Sequence, residues 1–124
     1  MKATIQYISA LDELKEATTS NKIKWNRNGT ECYNYKMINE DLEDLIIIFT
    51  KRDKDFTLTI EKKDFESTQQ ILNLDTTTTD SELRDTLSNL FDTVEYQVDI
   101  NNLEGLNKFV DLVKNSDDQH SILD

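Results

Sequence analysis

The chain has 124 residues, a formal charge of −11, one Cys, one His, two Gly and no Pro. That length holds one domain with one substantial core, and a lone Cys excludes an internal disulfide, which predicts a reducing, cytoplasmic setting. Residues 1–64 hold 11 Lys/Arg against 12 Asp/Glu, but residues 65–124 hold 3 against 13, so the second half repels nucleic acid and anionic lipid and attracts basic protein surfaces.

From roughly Ala3 to Thr19, Ile8, Leu11, Leu14 and Ala17 fall at helical spacing, which predicts an amphipathic helix. Thr18, Thr19, Ser20 and Asn21 read as its exit. In "KIKWNRNGTECYNYKM" (22–37), Ile23 and Trp25 alternate with polar residues, as do Tyr33, Tyr35 and Met37. Asn28-Gly29 signals a hairpin. A three-residue loop Arg27-Asn28-Gly29 pairs Trp25 with Glu31 and Ile23 with Tyr33, which puts all five apolar residues on one face. "LIIIFT", Leu45–Thr50, is apolar on both faces and reads as a central strand covered on both sides. "RDKD" (52–55) is a turn, and Phe56, Leu58 and Ile60 alternate with Thr57, Thr59 and Glu61 in a fourth strand. Residues 65–75 fit either a fifth strand or an irregular return. "TTTTDSEL" marks a boundary where Thr79 and Glu82 have capping-box spacing. Leu83, Leu87, Leu90, Phe91, Val94 and Val98 then form one stripe over about 80–98. A break at Asp99–Asn101 leads to a last helix over about 102–115, with Leu103, Leu106, Phe109, Val110 and Val113 inward. Residues 1–115 thus read as one α+β domain: a helix, a four- to five-stranded antiparallel meander, and two C-terminal helices packed on one sheet face. Residues 116–124 read as an acidic, flexible tail.

The pattern is poor in catalytic chemistry. His120 lies in the tail, far from Cys32, so no Cys–His pair is expected. No CxxC, HExxH or calcium-loop spacing occurs, and Gly29 and Gly105 stand alone, so no metal, phosphate loop or cofactor is expected. Lys22, Lys24, Arg27 and Lys36 surround the hairpin aromatics, the arrangement of a single-strand-stacking sheet. Five carboxylates in residues 31–44 oppose that reading, and a sheet needs those aromatics as core. No leader opens the chain, and Leu45–Phe49 is too short an apolar run to span a bilayer. The remaining candidate surface is acidic and helical: Asp85, Asp92 and Glu95, followed by Glu104 and Asp111. Carboxylates on a rigid helix suit a basic protein partner, or imitate phosphate spacing as an immunity or anti-defence inhibitor of a nuclease would. They also fit an ordinary solvated helix face. A small carboxylate-dependent hydrolase is a third reading.

The order of "NKIKWNR", a Tyr-bearing strand, an apolar strand, "DFTLTI", "LRDTLSNLFDTV" and "LEGLNKFVDLV" resembles small proteins carried by bacterial phages and mobile elements. Those show a "KIxW" entry to the sheet, a "YxLxI"-type strand and a paired-helix end. Their Arg-rich second helix is acidic here. The resemblance brings no catalytic residues. It implies only a small accessory protein, of the kind that modulates host or competing machinery.

Overall fold

The structure, a computed structural model, describes residues 2–40, 43–77 and 80–116. Helix α1 (Lys2–Thr19) leads into strands β1 (Asn26–Arg27), β2 (Cys32–Ile38), β3 (Asp44–Arg52), β4 (Asp55–Lys63) and β5 (Thr68–Asp75), followed by helix α2 (Ser81–Asn115). The strands pair in chain order, each antiparallel to the next. Residues 68–75 therefore form the fifth strand, with a register shift between Ile60 and Glu61.

Cross-strand pairs decide the two faces of the sheet. Tyr33 opposes Phe49, which opposes Leu58, which opposes Leu74, so one face carries a continuous apolar row. Both helices lie on it. The α2 stripe supplies Leu83, Leu87, Leu90, Phe91, Val94 and Val98, and α1 supplies Leu11, with Ile8 and Leu14 at the rim. Phe91 is the hub: its ring meets Tyr33, Phe49 and Phe56 at centroid distances of 5.4, 5.1 and 5.4 Å, within the range that favours edge contacts. Truncating such a ring costs about 3–5 kcal/mol. Thr4 Oγ1 donates to Asp80 Oδ2 at one end, and Gln97 bonds to Thr18 O at the other. The two helices accordingly run parallel, side by side.

Four expectations need correction. First, β3 is central but covered on one side only. Ile46 and Ile48 are half-buried on the outer face among Asn34, Lys36, Thr59 and Glu61; long polar neighbours shield them in place of a second layer. Second, Arg27 pairs with Tyr33 and Asn26 with Asn34, four residues away from the expected register. An even slip preserves which face each side chain takes, so Trp25 and Tyr33 are core, while Met37 is half exposed at the far end. Gly29 has φ 100° and Glu31 φ 54° in the longer loop this requires. Third, the α2 cap is Asp80, whose Oδ1 accepts the Leu83 N–H at 2.9 Å; Thr79 lies outside the described residues. Fourth, one 35-residue helix replaces the expected two. The sequence Asp99-Ile100-Asn101-Asn102 has modest helix propensity but no proline, so the backbone ladder continues through it.

Candidate interaction surface

The second half of α2 is the unusual feature. Leu103, Leu106, Phe109, Val110, Leu112 and Val113 are between 36% and 68% exposed. At about 100° per residue, the line through Leu103, Leu106, Val110 and Val113 lies roughly a third of a turn from the stripe that faces the sheet. The expected inward placement fails: Leu103, Leu106, Val110 and Val113 point away from the body, and Phe109 and Leu112, which keep nearly the phase of the buried stripe, are exposed all the same. The helix side nearest the body offers Asn101, Glu104, Gly105 and Lys108 to Lys24 and Arg27 across a cleft of about 530 Å³. Polar groups there do not close the gap. The arm over residues 99–115 is therefore held by the helix backbone and by contacts at its root.

That root is a buried polar knot. Gln97 is 6% exposed. Its Oε1 accepts the Trp25 backbone N–H at 2.9 Å, and its Nε2 donates to Thr18 O, Asn21 Oδ1 and Ile23 O. The Trp25 indole N–H donates to Thr18 Oγ1 at 3.0 Å, and Thr18 Oγ1 donates on to Leu14 O. One glutamine thus fixes the end of α1, the approach to β1 and the point where α2 leaves the sheet. Beside it, Arg27 donates to Tyr33 Oη at 3.0 Å, lies over the Tyr33 ring and reaches Asp99 at 3.8 Å. Burial pushes the Tyr33 phenol above its ordinary pKa, against the lowering pull of Arg27. Thr76, from the "TTTT" run, makes a second knot: it accepts the Phe56 N–H, donates to Asp55, and its carbonyl accepts from Arg84.

The five acidic residues do not share one face. Asp85 and Asp92 are exposed and Glu95 is half-buried. Asp85, Asp92 and Asp99 recur at seven-residue spacing on the line that Leu106 and Val113 continue, so acid gives way to apolar surface along one edge of the helix. Glu104 and Asp111, also exposed, lie roughly a third of a turn or more from that line. With Lys108 they flank the arm's polar side.

The rest of the described surface holds little machinery. No group of three or more His, Cys, Asp or Glu able to hold a metal occurs among the described residues, and no helix there is long and apolar enough to cross a membrane. The carboxylates of Asp64, Asp75 and Asp80 are held below their ordinary pKa by backbone N–H groups of their own turns and cap, which is structural pairing. A general acid would need the opposite shift. An apolar cleft of about 330 Å³ between Leu14, Ile23, Tyr35, Met37 and Ile47 contains no carboxylate. Cys32 is half-buried on the outer sheet face, where Sγ accepts from Thr50 Oγ1. His120, Ile122 and Leu123 lie outside the described residues. The buried polar residues Thr18, Thr76 and Gln97 escape a local reading; the arm had a signal, the five-residue step from Val98 to Leu103, which breaks the 3–4 spacing and re-aims the stripe. No protein-family model matches the chain, nor does any curated protein or solved structure.

Proposed function

We propose that this chain is a non-enzymatic interaction protein whose working surface is the outward line of α2, acidic over Asp85, Asp92, Glu95 and Asp99 and apolar from Leu103 to Val113. The observation that carries this reading is the uncovered apolar face of the arm. Four such side chains in one line, Leu103, Leu106, Val110 and Val113, with Phe109 and Leu112 bare on the helix's other side, expose more contiguous apolar surface than singly scattered residues do. Asn, Gly and β-branched residues lower the arm's helix propensity, so burial against something else is its natural source of stability. A protein partner that follows the line offers basic groups to the acidic stretch and an apolar groove to the arm. The resemblance to phage and mobile-element proteins supports an accessory role in that setting, within the cytoplasm.

The test is capture from a host extract by wild type, by Leu106→Glu and by the pair Asp85→Lys with Asp92→Lys. A partner that wild type retains and both variants lose supports the reading; a partner retained equally by all three overturns it. A second reading, inhibition of a nuclease by phosphate mimicry, draws on the line of carboxylates through Asp85, Asp92 and Asp99. Competition with DNA for a basic nuclease tests it, and failure to compete removes it.

A further inference from the structure

The arm's own composition points to what covers it. Between Ile100 and Ser116 two lysines, Lys108 and Lys114, balance two carboxylates, Glu104 and Asp111. In a chain of charge −11 this is a neutral island. It carries no preference for a strongly basic occupant, and it can meet itself without like-charge conflict. The stripe is also self-complementary. Leu103, Leu106, Val110 and Val113 follow the a/d spacing of a short heptad seam, and reversal about residue 108 sets Leu103 on Val113 and Leu106 on Val110.

We infer that the arm is covered by the arm of a second copy of this chain, in antiparallel orientation about residue 108, an inference that rests on the reading of the arm as a contact surface. Charge decides the orientation. A parallel pair would hold Asp85, Asp92, Glu95 and Asp99 of the two copies about 8–10 Å apart across the helix interface. An antiparallel pair separates the two Asp92 residues by about 48 Å along the axis, far beyond the screening length of about 8 Å at physiological salt. It also carries the two sheets to opposite ends, where they cannot collide. Two seams of four part-exposed side chains face to face bury on the order of 700 Å², below the roughly 1,200 Å² at which stable specific interfaces begin. The dimer is accordingly a weak, exchanging one. Its acidic stretches remain open at both ends.

Sedimentation equilibrium of the full chain between about 1 µM and 1 mM shows monomer passing to dimer. Added salt leaves that equilibrium unchanged or favours the dimer, since the contact is apolar and the bodies repel. Leu106→Glu weakens association by about 100-fold. Orientation is read in a Cys32→Ser background: Leu103→Cys and Val113→Cys chains, mixed and oxidised, form the 103–113 disulfide and neither homodisulfide. Wild type that stays monomeric over the whole range overturns the inference, as do homodisulfides in the separate variants, which mark a parallel pair. A monomer whose partner capture is still lost in Leu106→Glu overturns the second copy alone and leaves the contact surface standing. A wild type that stays monomeric and whose partner capture survives Leu106→Glu removes the contact surface itself.

Discussion

Replacing Gln97 by leucine keeps its volume and removes its polar atoms from the knot at the root of the arm. One accepted hydrogen bond disappears, together with the two N–H donors that Thr18 O, Asn21 Oδ1 and Ile23 O share. Thr18 O retains the Asn21 N–H at 3.1 Å, and the exposed Asn21 side chain can turn to water. The Trp25 N–H and the Ile23 carbonyl lose the amide that pairs them. Each buried polar group left without a partner costs about 1–3 kcal/mol, so with two such groups Gln97→Leu destabilises by about 2–6 kcal/mol. Against a total of about 5–15 kcal/mol for such a domain, that is a large fraction. Trp25 is the chain's one tryptophan and sits in the knot, so urea unfolding followed by its fluorescence reads the change directly. With a slope of about 2 kcal/mol/M, the midpoint falls by roughly 1–3 M. Gln97→Glu is worse at neutral pH, because a carboxylate would face three acceptors, and it recovers in part in acid, where the protonated group regains one donor. A Gln97→Leu midpoint within about 0.3 M of wild type would refute the claim that this amide holds the three segments together.

Other perturbations follow from particular groups. Tyr33→Phe removes the hydroxyl that Arg27 meets while the ring stays packed on Phe91. The folded-state pKa of Tyr33 is raised, so its contribution is complete below the unfolded value of about 10 and is lost as pH rises beyond it; denaturation between neutral and alkaline pH should show that loss in wild type and not in Tyr33→Phe. Asp80 has the opposite sign: its pKa is lowered by the Leu83 N–H and by Thr4, so its contribution is present above about pH 4 and fades as pH falls through the folded value. Asp80→Asn keeps the cap and flattens the acid limb of the stability curve, whereas Asp80→Ala loses the cap at every pH. Gly29 at φ 100° lies where side chains are strained, so Gly29→Ala destabilises by about 1 kcal/mol. Gly105 is helical with open space around it, so Gly105→Ala stabilises the arm by about 0.5–1 kcal/mol; thermal melts of the two variants move in opposite directions.

Long periodic segments were legible because many residues repeat the same instruction. Leu83 to Val98 could only be an amphipathic helix, and the alternation from Phe56 to Ile60 a half-covered strand. In the hairpin the faces were legible and the register was not: any even slip leaves Trp25, Tyr33 and Tyr35 on the inner side, and the choice among slips belongs to Gln97 and Thr18, distant in sequence. "LIIIFT" looks two-sided because its outer isoleucines are shielded by neighbours on adjacent strands, which no single strand reveals. Thr18, Thr76 and Gln97 resemble surface residues one at a time; only their partners make them core. A break expected at Asp99–Asn101 leaves no phase relation between Asp85, Asp92 and Glu95 and the later Glu104 and Asp111; the continuous helix sets one. The structure places Asp85, Asp92 and Glu95 on or near one line and turns Glu104 and Asp111 away from it.

The claim on which the account turns is that residues 99–115 carry an apolar face their own body does not cover. Amide hydrogen exchange in dilute protein measures this most directly. Residues 99–115 should exchange at least about tenfold faster than residues 83–98 of the same helix, and become protected as concentration rises or a partner is added. Equal, slow exchange along the whole of α2 in dilute protein would mean the arm is already packed on its own chain, and would contradict the account.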